Sequence, residues 1–258
     1  MSRIIFSIFN DNVNQDHKST NDYKLSQFRK YKDRLYTSQK HYADKCDADY
    51  ILHDTPTTDY ITIQFEKILL LEKYADQYDK VVYFDFDVVP TSRAINIFES
   101  VDFNTIGLHP VRRNLQYEHL REALKYDHFD TMNSYCKTCA VNSMLSLEGI
   151  SAGDKIYNTG VVTGGRDALR QIKFKERLQD LHNLLDEARE DSLYPEEISK
   201  NFCYNNEVYM TYLITKYKIP FTDLGMQWNF ILNGYQPDPT DAAYLLHHVN
   251  KEFEKSFE

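Results

Sequence analysis

The chain has 258 residues, with 30 Lys+Arg against 39 Asp+Glu and a formal charge of −9. Hydrophobic residues at 42% and charged residues at 27% predict a packed globular core rather than disorder. The acidic balance excludes a general nucleic-acid binder, whose phosphate contacts need concentrated Lys and Arg.

Taken in chain order, an apolar run at 4–9 reads as a buried strand ending in polar Asn10-Asp11-Asn12. It is too short for a signal segment, and no later stretch approaches a membrane span. A cytoplasmic protein without a membrane segment is expected. Residues 23–46 carry Leu25, Phe28, Tyr31, Leu35 and Tyr42 near helical spacing; 50–52 is a short second strand. A second helix is predicted over 63–78, a third strand over 81–84 and another over 105–109. Strands separated by such helices imply right-handed crossovers and a mainly parallel sheet, with ligands beyond the carboxyl ends of its strands.

The region 112–149 has weak periodicity and remains unplaced. It contains Cys136-Lys137-Thr138-Cys139, but no second Cys or His pair completes a zinc site, so reduced bystander thiols are expected there. Strand and turn are predicted at 155–162, an amphipathic helix over 167–188, a shorter helix over 205–217 and a terminal strand over 243–249. The expected fold is a single α/β domain over 1–258 with two abutting halves, about 1–110 and 111–258.

Asp85 and Asp87 follow the apolar run Val81-Val82-Tyr83-Phe84. Residues i and i+2 on a strand face one side, so the two carboxylates are expected to converge. Two desolvated carboxylates repel unless a cation joins them, and a hard divalent ion, Mg²⁺ or Mn²⁺, is the natural partner. Composition alone gives about two such matches, and a second, Asp47-Ala48-Asp49, is present. That one sits at a polar helix end, where solvated carboxylates are ordinary. Context, not spacing, distinguishes Asp85 and Asp87.

Residues 67–90, KILLLEKYADQYDKVVYFDFDVVP, resemble the helix–strand–DxD block of GT-A-fold glycosyltransferases. The similarity is nearest to glycosyltransferase family 8, the glycogenin and bacterial galactosyltransferase type. Other blocks follow in that family's order: the loop Phe9-Asn10-Asp11-Asn12, the segment Tyr157-Asn158-Thr159-Gly160-Val161, the helix start Asn205-Asn206-Glu207 and the pair Trp228-Asn229. Leu246-His247-His248-Val249-Asn250-Lys251 resembles its "H-aromatic-x-G-x-x-K" segment, with Asn250 in place of glycine and no Lys-Pro-Trp following.

The resemblance implies a GT-A-like domain whose N-terminal half binds a nucleotide-sugar donor and whose C-terminal half shapes the acceptor site. The carrier it implies is uridine diphosphate, with guanosine diphosphate left open. Metal ligands would be Asp85, Asp87 and a third from the late segment. His247 or His248 could each supply it, and the matching position favours His247. Phe9, Asn10 and Asp11 would face base or ribose, Asp85 the ribose or metal, Lys67 the diphosphate or sugar, and Lys251 phosphate. Asn158 falls in the segment near the acceptor. Asn206 and Glu207 are the catalytic candidates. A general base at Glu207 would imply inversion, whereas the resemblance implies retention and a positioning role. The acceptor could be a glycan, a protein or a small molecule.

Two alternatives remain. A haloacid-dehalogenase-type phosphatase also carries DxDxV after a strand, but generally on its first strand and with a late carboxylate pair that this chain lacks. A non-catalytic sugar-nucleotide-binding module is the other.

Overall fold

The computed structural model describes residues 1–10, 22–55, 63–112, 129–151, 153, 155–177, 179, 183, 205–232 and 243–257. The chain divides into two compact units. The first comprises Met1–His109, Gly160–Gln171 and Phe221–Glu258; the second comprises Pro110–Thr159 and Ile172–Pro220.

In the first unit, β1 (Arg3–Ile8) lies between two parallel neighbours, β2 (Asp49–His53) and β3 (Lys80–Phe84). Helices α1 (Asp22–Lys45) and α2 (Ile63–Ala75) make the two crossovers. Ile4, Ile5 and Phe6 are fully buried, as are Val81, Val82 and Phe84. A strand covered on both faces needs no polar alternation, which is why both segments read as continuous apolar runs. The sheet continues through β6 (Lys155–Gly165), antiparallel to β3, and β5 (Ile106–Arg112), to β7 (Phe221–Asp223), which runs parallel to β5. The expected mainly parallel α/β sheet is present, with β6 antiparallel to β3. Gly107 permits the close approach of β5 to its neighbours: a Cβ there would lie 2.1 Å from Thr163 Oγ1 and 2.7 Å from Leu224 Cδ2.

A smaller three-stranded sheet of β4 (Val88–Pro90), β9 (Leu245–His247) and β8 (Phe230–Ile231) is also part of this unit. Short helices α3 (Ile97–Ser100), α5 (Arg166–Leu169) and α7 (Glu254–Phe257) also belong to it.

In the second unit, α4 (Phe129–Leu147) occupies part of the region that periodicity left unplaced. Cys136 and Cys139 both lie on it, Cys136 buried. The other long helix, α6 (Asn206–Tyr217), is capped by Asn205, whose side chain accepts from the Glu207 and Val208 amides. Lys218 closes it in the left-handed conformation.

The helix predicted over 167–188 is corrected. α5 passes into a 3-10 turn, Arg170–Ile172, and Lys173 has a φ of +48°, which an uninterrupted α-helix cannot contain. Most of 178–188 lies outside the described residues.

Candidate functional site

The carboxylate pair sits where β3 ends. Phe84 is the last strand residue, and the Val88 amide donates to the Asp85 carbonyl at 2.9 Å, closing a turn. The expected pleat geometry is therefore replaced by a turn: Asp85 and Asp87 converge because the chain reverses, not because a strand alternates. Gln39, buried on α1, holds this turn. Its Nε2 donates to the Asp85 carbonyl at 3.1 Å and the Val88 carbonyl at 2.8 Å, while its Oε1 accepts from Ser7 and Tyr50.

β4, which follows the turn, pairs antiparallel with β9 in a register that sets Val88 opposite His247. The His248 amide donates to the Asp87 carbonyl at 3.0 Å. His247 Nε2 thereby lies 3.5 Å from Asp87 Oδ1 and 3.7 Å from Asp85 Oδ2. One donor atom from each of Asp85, Asp87 and His247 falls within 4.8 Å of the others. His247 Nδ1 donates to Asn229 Oδ1 at 3.0 Å, which turns Nε2 towards the carboxylates. His248 has a different task. Its ring nitrogens engage the Glu252 carbonyl and Ser256 Oγ, and burial pushes its pKa down to about 4. Of the two adjacent histidines, only His247 faces the pair.

Each carboxylate is also paired. Lys67 and the Tyr83 hydroxyl both donate to Asp85 Oδ1, at 2.8 and 2.6 Å. Lys251 donates to Asp87 Oδ2. Burial tends to raise the Asp87 pKa, but the charges and hydrogen bonds of Lys251 and His247 outweigh it and hold the carboxyl far below the usual range. Lys67 is buried and bonded to Asp85 rather than standing open. Two carboxylate oxygens and an imidazole nitrogen form a donor set suited to Mn²⁺ or Mg²⁺, so these residues fit such an ion.

The β1–β3 register, Phe6 opposite Tyr83, places Phe9 and Asn10 beyond the same carboxyl edge as Asp85. Asn10 is buried there. The Phe9 ring stacks on Phe86 within an aromatic cluster that includes Phe28, so its side chain belongs to the core. Asp11 lies outside the described residues.

In the second unit, Glu207 stands in the first turn of α6 with both oxygens engaged. Oε1 accepts from Asn158 Nδ2 at 2.7 Å, and Oε2 accepts from Lys137 on α4. The Thr159 hydroxyl donates to Asn206 Oδ1 at 3.0 Å. Asn158, Asn206 and Glu207 therefore form one polar cluster. The Glu207 carbonyl also accepts from Thr211, whose hydroxyl accepts in turn from the Tyr157 amide.

No protein-family model matches this chain, and no curated protein matches it in sequence. Among solved structures, a glycosyltransferase involved in glycosylation of the major capsid of PBCV-1 superposes with a TM-score of 0.50. The two are 11% identical, and the match covers 96% of this chain and 93% of that one. The chain has the GT-A fold. Mouse xyloside xylosyltransferase 1 matches at TM-score 0.49 and 12% identity, over 96% of this chain and 98% of its own. The galactosyltransferase LgtC, with donor and acceptor sugar analogues, matches at 0.48 and 13%, over 96% and 87%.

Within this GT-A fold, four contributors went unassigned at the level of sequence. Gln39 and Tyr83 carry no local pattern that separates them from ordinary helix and strand residues. Lys137 lies inside the CxxC, in a stretch without clear periodicity. Asn229 was visible only as half of the Trp228-Asn229 pair, with no task attached. No described helix is long and apolar enough to cross a membrane.

Proposed function

We propose that the chain is a glycosyltransferase that moves a sugar from a nucleoside-diphosphate donor, UDP-linked, to a glycan, protein or small-molecule acceptor. The observation that carries this reading is the convergence of Asp85, Asp87 and the remote His247 on one point beyond the sheet edge. That is where an α/β sheet presents its ligand site. The first unit carries this nucleotide-binding role.

Asp85, Asp87 and His247 would hold Mn²⁺ or Mg²⁺. Such an ion supplies Lewis-acid stabilisation of the charge that develops on a departing diphosphate. The chain's own residues prepare that centre. Asn229 fixes the imidazole tautomer, Lys67 and Tyr83 orient Asp85, and Gln39 holds the turn. Asn10 faces the nucleotide. Glu207, with both oxygens engaged by Asn158 and Lys137, serves as a positioning carboxylate rather than a free general base. Transfer with retention of configuration agrees with that arrangement.

The phosphatase alternative loses support. The carboxylates follow the third strand rather than the first, and Asp85, Asp87 and His247 are the metal-type cluster among the described residues. The direct test is a panel of UDP-sugars with and without Mn²⁺, following UDP release. Release from at least one donor, lost on chelation, is expected. Cleavage of p-nitrophenyl phosphate instead would establish a phosphatase. Binding of UDP without turnover of any donor would establish the non-catalytic module.

A further inference from the structure

The centre is already electrically balanced by its own side chains. Asp85 and Asp87 carry two negative charges, and Lys67 and Lys251 place two ammonium groups directly on them. The pairing is symmetrical. Each carboxylate gives one oxygen to a lysine and turns the other towards His247 Nε2. A divalent ion entering between the inner oxygens would leave two uncompensated positive charges in a largely buried site, which a low-dielectric environment penalises. Either a lysine withdraws or an anion arrives with the metal.

The two lysines are not equally able to move. Lys67 belongs to α2, with its side chain 6% exposed, bonded to Asp85 and lying over the Tyr83 ring. Lys251 belongs to the turn after β9, in a left-handed conformation, with its side chain 15% exposed. Its ammonium lies over the Phe28 ring, 5.0 Å from the centroid, at the edge of the aromatic cluster. A lysine there can swing about its flexible stem without unpacking a helix.

The geometry points to Lys251 as a resident counter-ion, seated on Asp87 in the ligand-free protein and transferred to the nucleotide's diphosphate when the cation binds. This rests on the metal-centre reading above and adds a thermodynamic consequence to it. Cation and nucleoside diphosphate bind cooperatively, and Lys251 carries the coupling. The ion alone must displace Lys251 and leave it without a partner. With the diphosphate present, the displaced ammonium finds another anion. Linkage makes the effect reciprocal, so the ion tightens the nucleotide by the same factor.

The test titrates Mn²⁺ into the full chain with and without UDP, following the free ion by electron paramagnetic resonance. In the natural chain UDP should tighten Mn²⁺ binding about tenfold or more, within the usual range of such couplings. Lys251→Met should bind Mn²⁺ alone several-fold more tightly, with the UDP enhancement falling below about threefold. Lys251→Gln removes the charge but keeps a hydrogen-bond donor for buried Asp87, so it retains a folded comparison, and it should behave alike. Full enhancement in either variant, or unchanged affinity for Mn²⁺ alone, overturns the role of Lys251 while the metal centre stands. Failure of all three chains to bind Mn²⁺, with or without UDP, overturns the metal centre itself.

Discussion

The His247 imidazole is held by Asn229: Nδ1–H donates to Asn229 Oδ1 at 3.0 Å, and the opposite nitrogen faces both carboxylates. Asn229 is fully buried and lies between the 3-10 turn Met226–Trp228 and β8, so its position is set by the small sheet rather than by the ligand. A partner behind a ligating histidine typically contributes 10–100-fold to metal affinity. Asn229→Ala is therefore expected to weaken Mn²⁺ binding about tenfold or more, measured in the presence of UDP. Unchanged affinity would mean that the packing of β9 alone orients the ring.

Asp87→Ala removes a ligand and also strands Lys251 beside His247. The melting temperature of the natural chain should rise on adding Mn²⁺ with UDP, since anything that binds only the folded state stabilises it. In Asp87→Ala that rise should vanish. A shift of equal size in the variant would place the ion elsewhere.

Gln39 makes four hydrogen bonds from one buried amide, joining β1, β2 and the carboxylate turn. Gln39→Leu would remove the partner of the Val88 carbonyl and of the Ser7 and Tyr50 hydroxyls, while the Asp85 carbonyl keeps the Val88 amide. At roughly 1–3 kcal/mol for each buried group left unsatisfied, partly relieved by relaxation, a loss of about 3 kcal/mol is expected. Urea denaturation would measure it, and Mn²⁺ affinity should fall with it, because the turn that sets Asp85 and Asp87 is then loosened.

Lys137 and Glu207 form a largely buried pair, with side chains 12% and 14% exposed. Breaking such a pair from one side costs about 3–5 kcal/mol, because the remaining charge stays buried. Lys137→Met alone should be strongly destabilising. The double variant Lys137→Met with Glu207→Gln should recover much of the loss, since Asn158 can still donate to the new amide. A double-mutant cycle in denaturant gives the coupling directly, and a value near zero would show that the pair is solvated.

His53 supplies a pH dependence. Its Nε2 lies 2.6 Å from the Tyr74 hydroxyl. Burial holds its pKa below the ordinary 6.5, with the opposing attractions of Glu66 and Asp54 smaller. Below about 6.5 the unfolded chain takes up a proton that the folded chain refuses, so this contribution is complete above that value. It is lost as pH falls towards the lowered folded pKa. The denaturant midpoint of the natural chain should drop between pH 7.5 and 5.5, and His53→Asn should flatten that slope. An unchanged slope would assign the pH dependence to other groups.

Much of the first unit was legible because its signals are local. Helix α1 was predicted over 23–46 and observed at Asp22–Lys45, since Tyr31, Leu35 and Tyr42 recur on one face. β1 and β3 carry the apolar runs Ile4-Ile5-Phe6 and Val81-Val82-Tyr83-Phe84, which have no other place to go than the middle of a sheet. The second carboxylate pair, Asp47 and Asp49, is exposed, as its polar setting implied. Helix α4 was missed because its apolar and polar residues do not segregate along the sequence. The helix predicted over 167–188 failed at Lys173, where no Gly or Pro announces the break.

Sequence alone singled out the carboxylate pair as a candidate cation site, because two carboxylates after an apolar strand are chemistry written in residue types, whereas the late histidine entered through the family resemblance. Residue type did not separate His247 from the adjacent His248, and only the matching position in the resemblance favoured His247. Tertiary structure made that choice through the β4–β9 register and the separate partners of His248 in the turn beyond. It also paired Lys67 and Lys251 with the carboxylates, the second across 164 positions. Local propensity acts over a few residues. Charge pairing across such a separation exists only once the chain has folded and desolvation has forced each ionised group to find a partner.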